Sequence, residues 1–264
     1  MSRVNNGKKG ILVVSFGTSY EETRKLTIEA IENKIKNSFQ GYEIRRAFTS
    51  GIIRKKIKIN ENSYIDSTKE ALDKMKADGF NEVIVQPLHI IPGIEYDAVK
   101  ETIYGYKNLF KKIIIGTPLL YEEKEYEEAV SALKNQMPTM KKNKGVVLMG
   151  HGTTHYSNAC YALLQYILEE SGLENVFVGT VEGYPTLDNV IRRLKKNKID
   201  NVVLMPFMLV AGEHANNDMS GDGEDSWKSI LKNNGIQSTV YLHGLGENLS
   251  IQDIYIEKIR DLIL

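Results

Sequence analysis

The sequence predicts an α/β fold of two similar lobes, each a parallel sheet with helices on both faces. Three observations predict it. Short apolar runs alternate with longer amphipathic ones along the whole chain. The alternation breaks once, at a polar, basic segment, and then restarts. Stretches on either side of the break echo each other. Strands separated by helices run parallel and need both faces covered.

Taken in order, Ile11 to Phe16 reads as a strand and Tyr20 to Phe39 as a helix, with Leu26, Ile28, Ile31 and Ile35 at roughly helical spacing. Tyr42 to Phe48 is a strand. Capping-type residues at Asp66-Ser67-Thr68-Lys69-Glu70 open a helix whose apolar face continues through Ala71, Leu72 and Met75. Glu82 to Val85 is a strand, Glu95 to Phe110 a helix, Lys112 to Ile115 a strand and Glu122 to Met137 a helix. Pro138, Lys141, Lys142, Asn143, Lys144 and Gly145 form the break, so the expected domains are 1–138 and 139–264. After it come strand 145–149, helix 155–170, strand 175–181, helix 187–196, strand 201–206, helix 225–233, strand 238–242 and helix 251–264.

The echo is visible in two pairs. Val13 to Tyr20 parallels Leu148 to His155, and Val83 to Glu95 parallels Val202 to His214. In a gap-free alignment of the second pair Gly93 meets Gly212 and Glu95 meets His214. A duplicated ancestor explains both, with the strand ends of the two lobes expected to face a shared cleft.

Composition excludes several classes. Basic and acidic residues balance at 34 each, so no basic excess marks a nucleic-acid binder. One cysteine, Cys160, allows neither an internal disulfide nor a thiolate metal site, which leaves nitrogen and oxygen ligands. No apolar run approaches the ~20 residues that span a bilayer, and the polar start Met1 to Gly10 is unlike a signal peptide. A cytoplasmic protein without membrane partners is expected.

The chemistry concentrates at strand ends. His151 sits between Gly150 and Gly152 after the apolar run Gly145-Val146-Val147-Leu148, where open α/β sheets place their ligands. His214 follows another strand in a glycine-bearing turn. Two imidazoles delivered to one crevice suit Co2+, Ni2+, Fe2+ or Zn2+. Glu182, which follows a strand and precedes Gly183 and Pro185, is a candidate third ligand; the set leaves coordination positions open. His243 reads as a structural loop residue and His155 as a helix cap. Glu95, at a helix start after Pro92-Gly93, is either a dipole-stabilising carboxylate or a proton acceptor facing His214. His89, in the apolar run Leu88-His89-Ile90-Ile91, must find a hydrogen-bond partner or line a cavity.

Ser15-Phe16-Gly17-Thr18-Ser19 offers hydroxyls and N–H groups ahead of a helix, a candidate anion cradle that lacks a P-loop lysine. Arg45, Arg46, Arg54, Lys55 and Lys56 surround Thr49-Ser50-Gly51 as candidates to hold carboxylates. Gly221-Asp222-Gly223-Glu224-Asp225 fails the EF-hand spacing and reads as a turn with a helix cap.

Together these motifs resemble the anaerobic cobalt chelatases of the CbiK type. The resemblance lies in Leu12-Val-Val-Ser-Phe-Gly-Thr-Ser-Tyr20, Arg46-Ala-Phe-Thr-Ser-Gly-Ile-Ile-Arg54, Leu88-His-Ile-Ile-Pro-Gly-Ile-Glu-Tyr96, Met149-Gly-His-Gly152 and Met208-Leu-Val-Ala-Gly-Glu-His-Ala-Asn-Asn-Asp-Met219. Gly221 to Lys228 and Gly244 to Asn248 extend it. The resemblance implies a class II chelatase fold and ATP-independent insertion of Co2+ into sirohydrochlorin in cobalamin biosynthesis. It implies His151 as the principal catalytic histidine, His214 as a second active-site histidine, Glu182 as the metal-binding glutamate and Glu95 as a cleft glutamate; on the reading of the residues His151, Glu182 and His214 are the expected metal ligands, and His151, Glu95 and His89 the candidates to accept a pyrrole proton. Thr18, Ser19, Arg46 and Ser50 are expected to meet the substrate's carboxylates. No cofactor is expected beyond the substrate metal ion. Sirohydrochlorin or precorrin-2 is the expected partner, with a homo-oligomer open. Fe2+ or Ni2+ in place of Co2+, and a non-catalytic metal or tetrapyrrole carrier, are the competing readings. Some relatives are exported and bind haem, a property the polar start does not suggest here.

Overall fold

The computed structural model describes residues 7–137 and 143–263. The polar start Met1 to Asn6, and Pro138, Lys141 and Lys142 of the expected break, lie outside the described residues. In chain order the elements are β1 (Lys8–Ser15), α1 (Glu21–Arg24), a π-turn (Lys25–Glu29), α2 (Ala30–Ser38), β2 (Glu43–Phe48), α3 (Gly51–Glu61), α4 (Thr68–Ala77), β3 (Phe80–Pro87), α5 (Ile94–Tyr104), β4 (Lys112–Ile115) and α6 (Glu123–Gln136). Then follow β5 (Lys144–Gly150), α7 (Ala159–Glu170), β6 (Val176–Thr180), α8 (Leu187–Lys196), β7 (Asn201–Pro206), a second π-turn (Ala215–Met219), α9 (Trp227–Asn233), β8 (Gln237–Val240) and α10 (Leu249–Ile263).

The strands form two four-stranded sheets, ordered β2-β1-β3-β4 and β6-β5-β7-β8, with every pairing parallel. The identical order in both sheets fits the duplication read from the sequence. Ile11 to Val14 in β1 and Val146 to Met149 in β5 are buried without alternation, as the inner strands of a doubly covered parallel sheet require. In the first sheet Leu12, Val14, Val83 and Val85 pack with Ala71, Leu72, Met75, Val99 and Ile103 of α4 and α5. In the second, Val147, Met149, Val202 and Leu204 pack with Val190, Ile191 and Leu194 of α8 and with Trp227 and Leu231 of α9.

The chain forms two compact units, residues 1–119 with 252–264 and residues 120–251. The sequence reading had placed the division at 138. The α6 helix packs on α7, and Asn248 Nδ2 donates to Ala132 O and Gln136 Oε1, so α6 belongs with the second unit. The chain then returns: in α10, Tyr255 Oη donates to Leu88 O and Lys258 Nζ to Thr117 Oγ1, which ties the end of the helix into the first unit. Burial of a helix's faces decides which core it joins.

Two further elements differ from expectation. Residues 51–61 form a helix, capped by Ser50 and carrying the buried Ile57, where the sequence reading placed no element. Residues 215–219 form a π-turn where no element was expected. Among the described residues no helix is long and apolar enough to cross a membrane.

Candidate metal centre

The second sheet has β5 between β6 and β7, and its strands end nearly level: Gly150 pairs with Thr180, and Met149 with Pro206. Residues leaving these three strands therefore emerge side by side. His151 follows β5 directly. Glu182 follows β6, and the ladder continues past the strand ends through Val181 N to Gly150 O (3.1 Å) and Glu182 N to His151 O (2.8 Å). His214 arrives from β7 through a longer turn and opens the second π-turn.

One ligand atom from each of His151, Glu182 and His214 lies within 4.8 Å of the others. His151 Nδ1 is 3.9 Å from Glu182 Oε2, and the two imidazole rings stand edge to face with centroids 4.7 Å apart. Trans donors on one ion sit about 4.2 Å apart at ordinary metal–nitrogen lengths, so at most a small side-chain rotation closes the three on a cation. The side chains are 44%, 58% and 35% exposed, which leaves the site open to an incoming ion and to further ligands. The donor set of two nitrogens and a carboxylate accepts Co2+, Fe2+ and Ni2+ alike.

Close packing around the triad explains its glycines. Gly152 has φ +81°, and a Cβ there would lie 2.5 Å from Gly183 N and 2.9 Å from Thr180 Cβ. A Cβ on Gly183 would meet Asn158 Oδ1 at 2.3 Å. Asn158 itself joins the two loops: its Oδ1 accepts from Thr153 N (3.1 Å) and its Nδ2 donates to Tyr184 O (2.6 Å). Below them Tyr161 Oη accepts from Gly152 N, and burial pushes that phenol up to about 12, so it stays protonated. Asn158, Tyr161 and Asp218 were not singled out from the sequence. Only Asp218 carried a readable signal, four residues after His214, the spacing that brings helical side chains together.

The remaining histidines behave as their local sequence suggested. His155 Nδ1 accepts from Ser157 N and caps a short 3₁₀ turn. His243 Nδ1 lies 2.6 Å from Glu247 Oε2 in its loop. Ser226, rather than Asp225, caps α9 after the Gly221–Asp225 turn.

In the first unit, Glu95 lies half-buried in the first turn of α5, at the station after β3 that His214 occupies after β7. Both ring nitrogens of His89 are buried and lack a hydrogen-bond partner, and burial pulls the imidazole down to about 4. Arg46 does not offer a free guanidinium: it pairs with Glu32 and with Glu29 (3.2 Å). Arg45 is likewise held by Glu43 and Asp78, and Arg54 by Glu70. Ser50 Oγ accepts from Ile53 N as the α3 cap. Thr18 is buried, with Oγ1 accepting from Tyr20 N, and Ser19 is half-buried. The expected anion cradle leads into a first turn that already carries Glu21 and Glu22, both paired with Lys25. Charge contacts within the protein have absorbed the arginines that the sequence had offered to substrate.

Two parallel α/β units of one topology define a class II chelatase-like fold, and the strand ends of one of them carry the candidate His–Glu–His set. SirB from Bacillus subtilis, solved with Fe3+, shares it at a TM-score of 0.66, with 15% identity, over 96% of this chain and 95% of its own. The cobalt chelatase (CbiK) family model matches residues 9–264, and the chain belongs to that family. It is 40% identical to the sirohydrochlorin cobaltochelatase of Salmonella typhimurium over 97% of both chains. It is 33% identical to the sirohydrochlorin cobaltochelatase CbiKC of Nitratidesulfovibrio vulgaris, over 96% of this chain and 89% of that one.

Proposed function

We propose that this chelatase inserts Co2+ into sirohydrochlorin without nucleotide hydrolysis, as a step toward cobalamin. The observation that carries the reading is the convergence of His151, Glu182 and His214 on three adjacent strand ends, in a member of the CbiK family.

The chemistry has two demands. A hydrated divalent ion must shed water, and two pyrrolic protons must leave before four nitrogens hold the metal. His151, His214 and Glu182 replace part of the water shell while leaving coordination positions for the macrocycle. Imidazole ligates only when neutral, so metal capture weakens on acidification. Glu95 or a neutral His151 accepts the pyrrole protons as general base. His89 is a weak base when buried at about 4, far from the working pH that suits proton transfer. Ser19 and the hydroxyls of Thr18 and Ser50 remain candidates for substrate carboxylates; Arg46, held by its glutamates, is not retained.

The test is turnover of sirohydrochlorin with Co2+, Fe2+ and Ni2+ in separate reactions without nucleotide, followed by the macrocycle's visible absorption, with precorrin-2 as a second substrate. Many turnovers, fastest with Co2+, are expected. Uptake of one equivalent without product release would make the protein a carrier, and a faster reaction with Fe2+ or Ni2+ would reassign the metal.

A further inference from the structure

His214 is held by a second carboxylate that the metal set does not include. Its Nδ1 lies 2.6 Å from Oδ2 of Asp218. A carboxylate oxygen accepts, so Nδ1 carries the hydrogen, and in the neutral ring that metal binding requires Nε2 keeps its lone pair. At His151 the same logic runs through backbone: Nδ1 is 2.8 Å from Gly152 O, an acceptor only, which also leaves Nε2 free. In the neutral rings both imidazoles thus keep the lone pair on the same nitrogen, one held by main chain and the other by a side chain.

We propose that Asp218 is the positioning residue of the metal centre. It selects the Nδ1–H tautomer of His214, fixes the ring's direction and makes Nε2 a better donor. The inference rests on the proposed metal role of His214.

The backbone that delivers Asp218 is anchored independently of the pair. Asn216 Nδ2 donates to Gly212 O (2.8 Å) and Ala211 O (3.2 Å). Ser220 Oγ donates to Ala215 O (2.9 Å), and Gly221 N to Asn217 O (3.0 Å). Ala215 and Met219 are buried in the core beside Trp227. The π-turn therefore keeps its shape without the carboxylate. The pair itself is exposed, 35% at His214 and 44% at Asp218, and such a pair contributes little to folding. A short, well-directed bond with little value to stability points to the imidazole it orients.

The experiment titrates Co2+ into the purified protein and follows the ion's visible absorption, for wild type, Asp218→Ala, His214→Ala and the double variant. Nitrogen NMR of labelled histidine reads the His214 tautomer. Asp218→Ala is expected to weaken Co2+ binding about 10–100-fold, to mix the His214 tautomers and to leave thermal unfolding unchanged. In the His214→Ala background the same substitution is expected to add nothing. Wild-type affinity in Asp218→Ala, while His214→Ala binds weakly, would overturn the positioning role alone. An equal loss in the His214→Ala background would overturn it too, by showing an effect that bypasses the imidazole. Wild-type affinity in His214→Ala would remove the metal-site reading, and this inference with it.

Discussion

The His151 ring meets the His214 ring edge to face, with the planes at 86° and the centroids 4.7 Å apart. Stacked imidazoles would point their nitrogens along parallel planes, whereas this arrangement lets both aim at one point. Replacing either ring by alanine removes a third of the proposed ligand set without touching the core. His151→Ala is expected to abolish Co2+ insertion while circular dichroism and thermal unfolding stay as in wild type. Full turnover in that variant would refute the assignment.

Gly152→Ala tests the close approach of the His151 and Glu182 loops. The new Cβ meets backbone at 2.5 Å, which has no flexible end to move aside, and φ +81° adds about 1–2 kcal/mol of backbone strain for an L-residue. The Glu182 loop must shift, so Co2+ affinity is expected to fall at least about ten-fold, the equivalent of about 1.4 kcal/mol. Calorimetric titration with Co2+ beside a denaturant melt separates the two effects. Unchanged affinity would show that the loops are not coupled.

Asn158→Ala removes the clamp between the same loops and leaves Thr153 N and Tyr184 O without their side-chain partner. The stability cost is expected at about 1–2 kcal/mol. Co2+ binding should weaken further than that loss alone explains. Asn158→Asp keeps the acceptor for Thr153 N but loses the donor to Tyr184 O, so it should fall between alanine and wild type. An Asp variant no better than alanine would assign the whole effect to the Tyr184 contact.

His89 makes stability depend on pH in a defined direction. Burial disfavours its cation, so the unfolded chain takes up a proton there before the folded one does. Above about pH 6.5 neither state is protonated and His89 has no effect. Between about 6.5 and about 4 the unfolded state binds the extra proton, and stability falls as pH falls, by roughly 3 kcal/mol at most. Urea melts across that range should show the slope in wild type and a flatter one in His89→Leu. An unchanged slope would mean that other groups carry it.

Much of the architecture was legible in the chain. Apolar runs such as Val146 to Met149 can be satisfied only as inner parallel strands, and Ser67 with Glu70 announced a helix start that the structure completes as a capping box. The helix at 51–61 was not legible, because Arg54, Lys55, Lys56 and Lys58 mask an apolar face of few residues. Nor were the ion pairs of Arg46, whose partners Glu29 in the first π-turn and Glu32 in α2 depend on how that helical stretch packs beside β2.

The sequence by itself determined the local station of each candidate ligand: a strand running into a glycine-bearing turn, with no side chain to crowd the approach. Only the tertiary structure decided that His151, Glu182 and His214 meet. Ligands so distant along the chain are joined by strand order, and β5 lies between β6 and β7 because the helices between these strands must each cover a sheet face. The tautomer of His214 belongs to the same level, since it depends on a 2.6 Å bond that exists only once a π-turn has formed around Ala215–Met219.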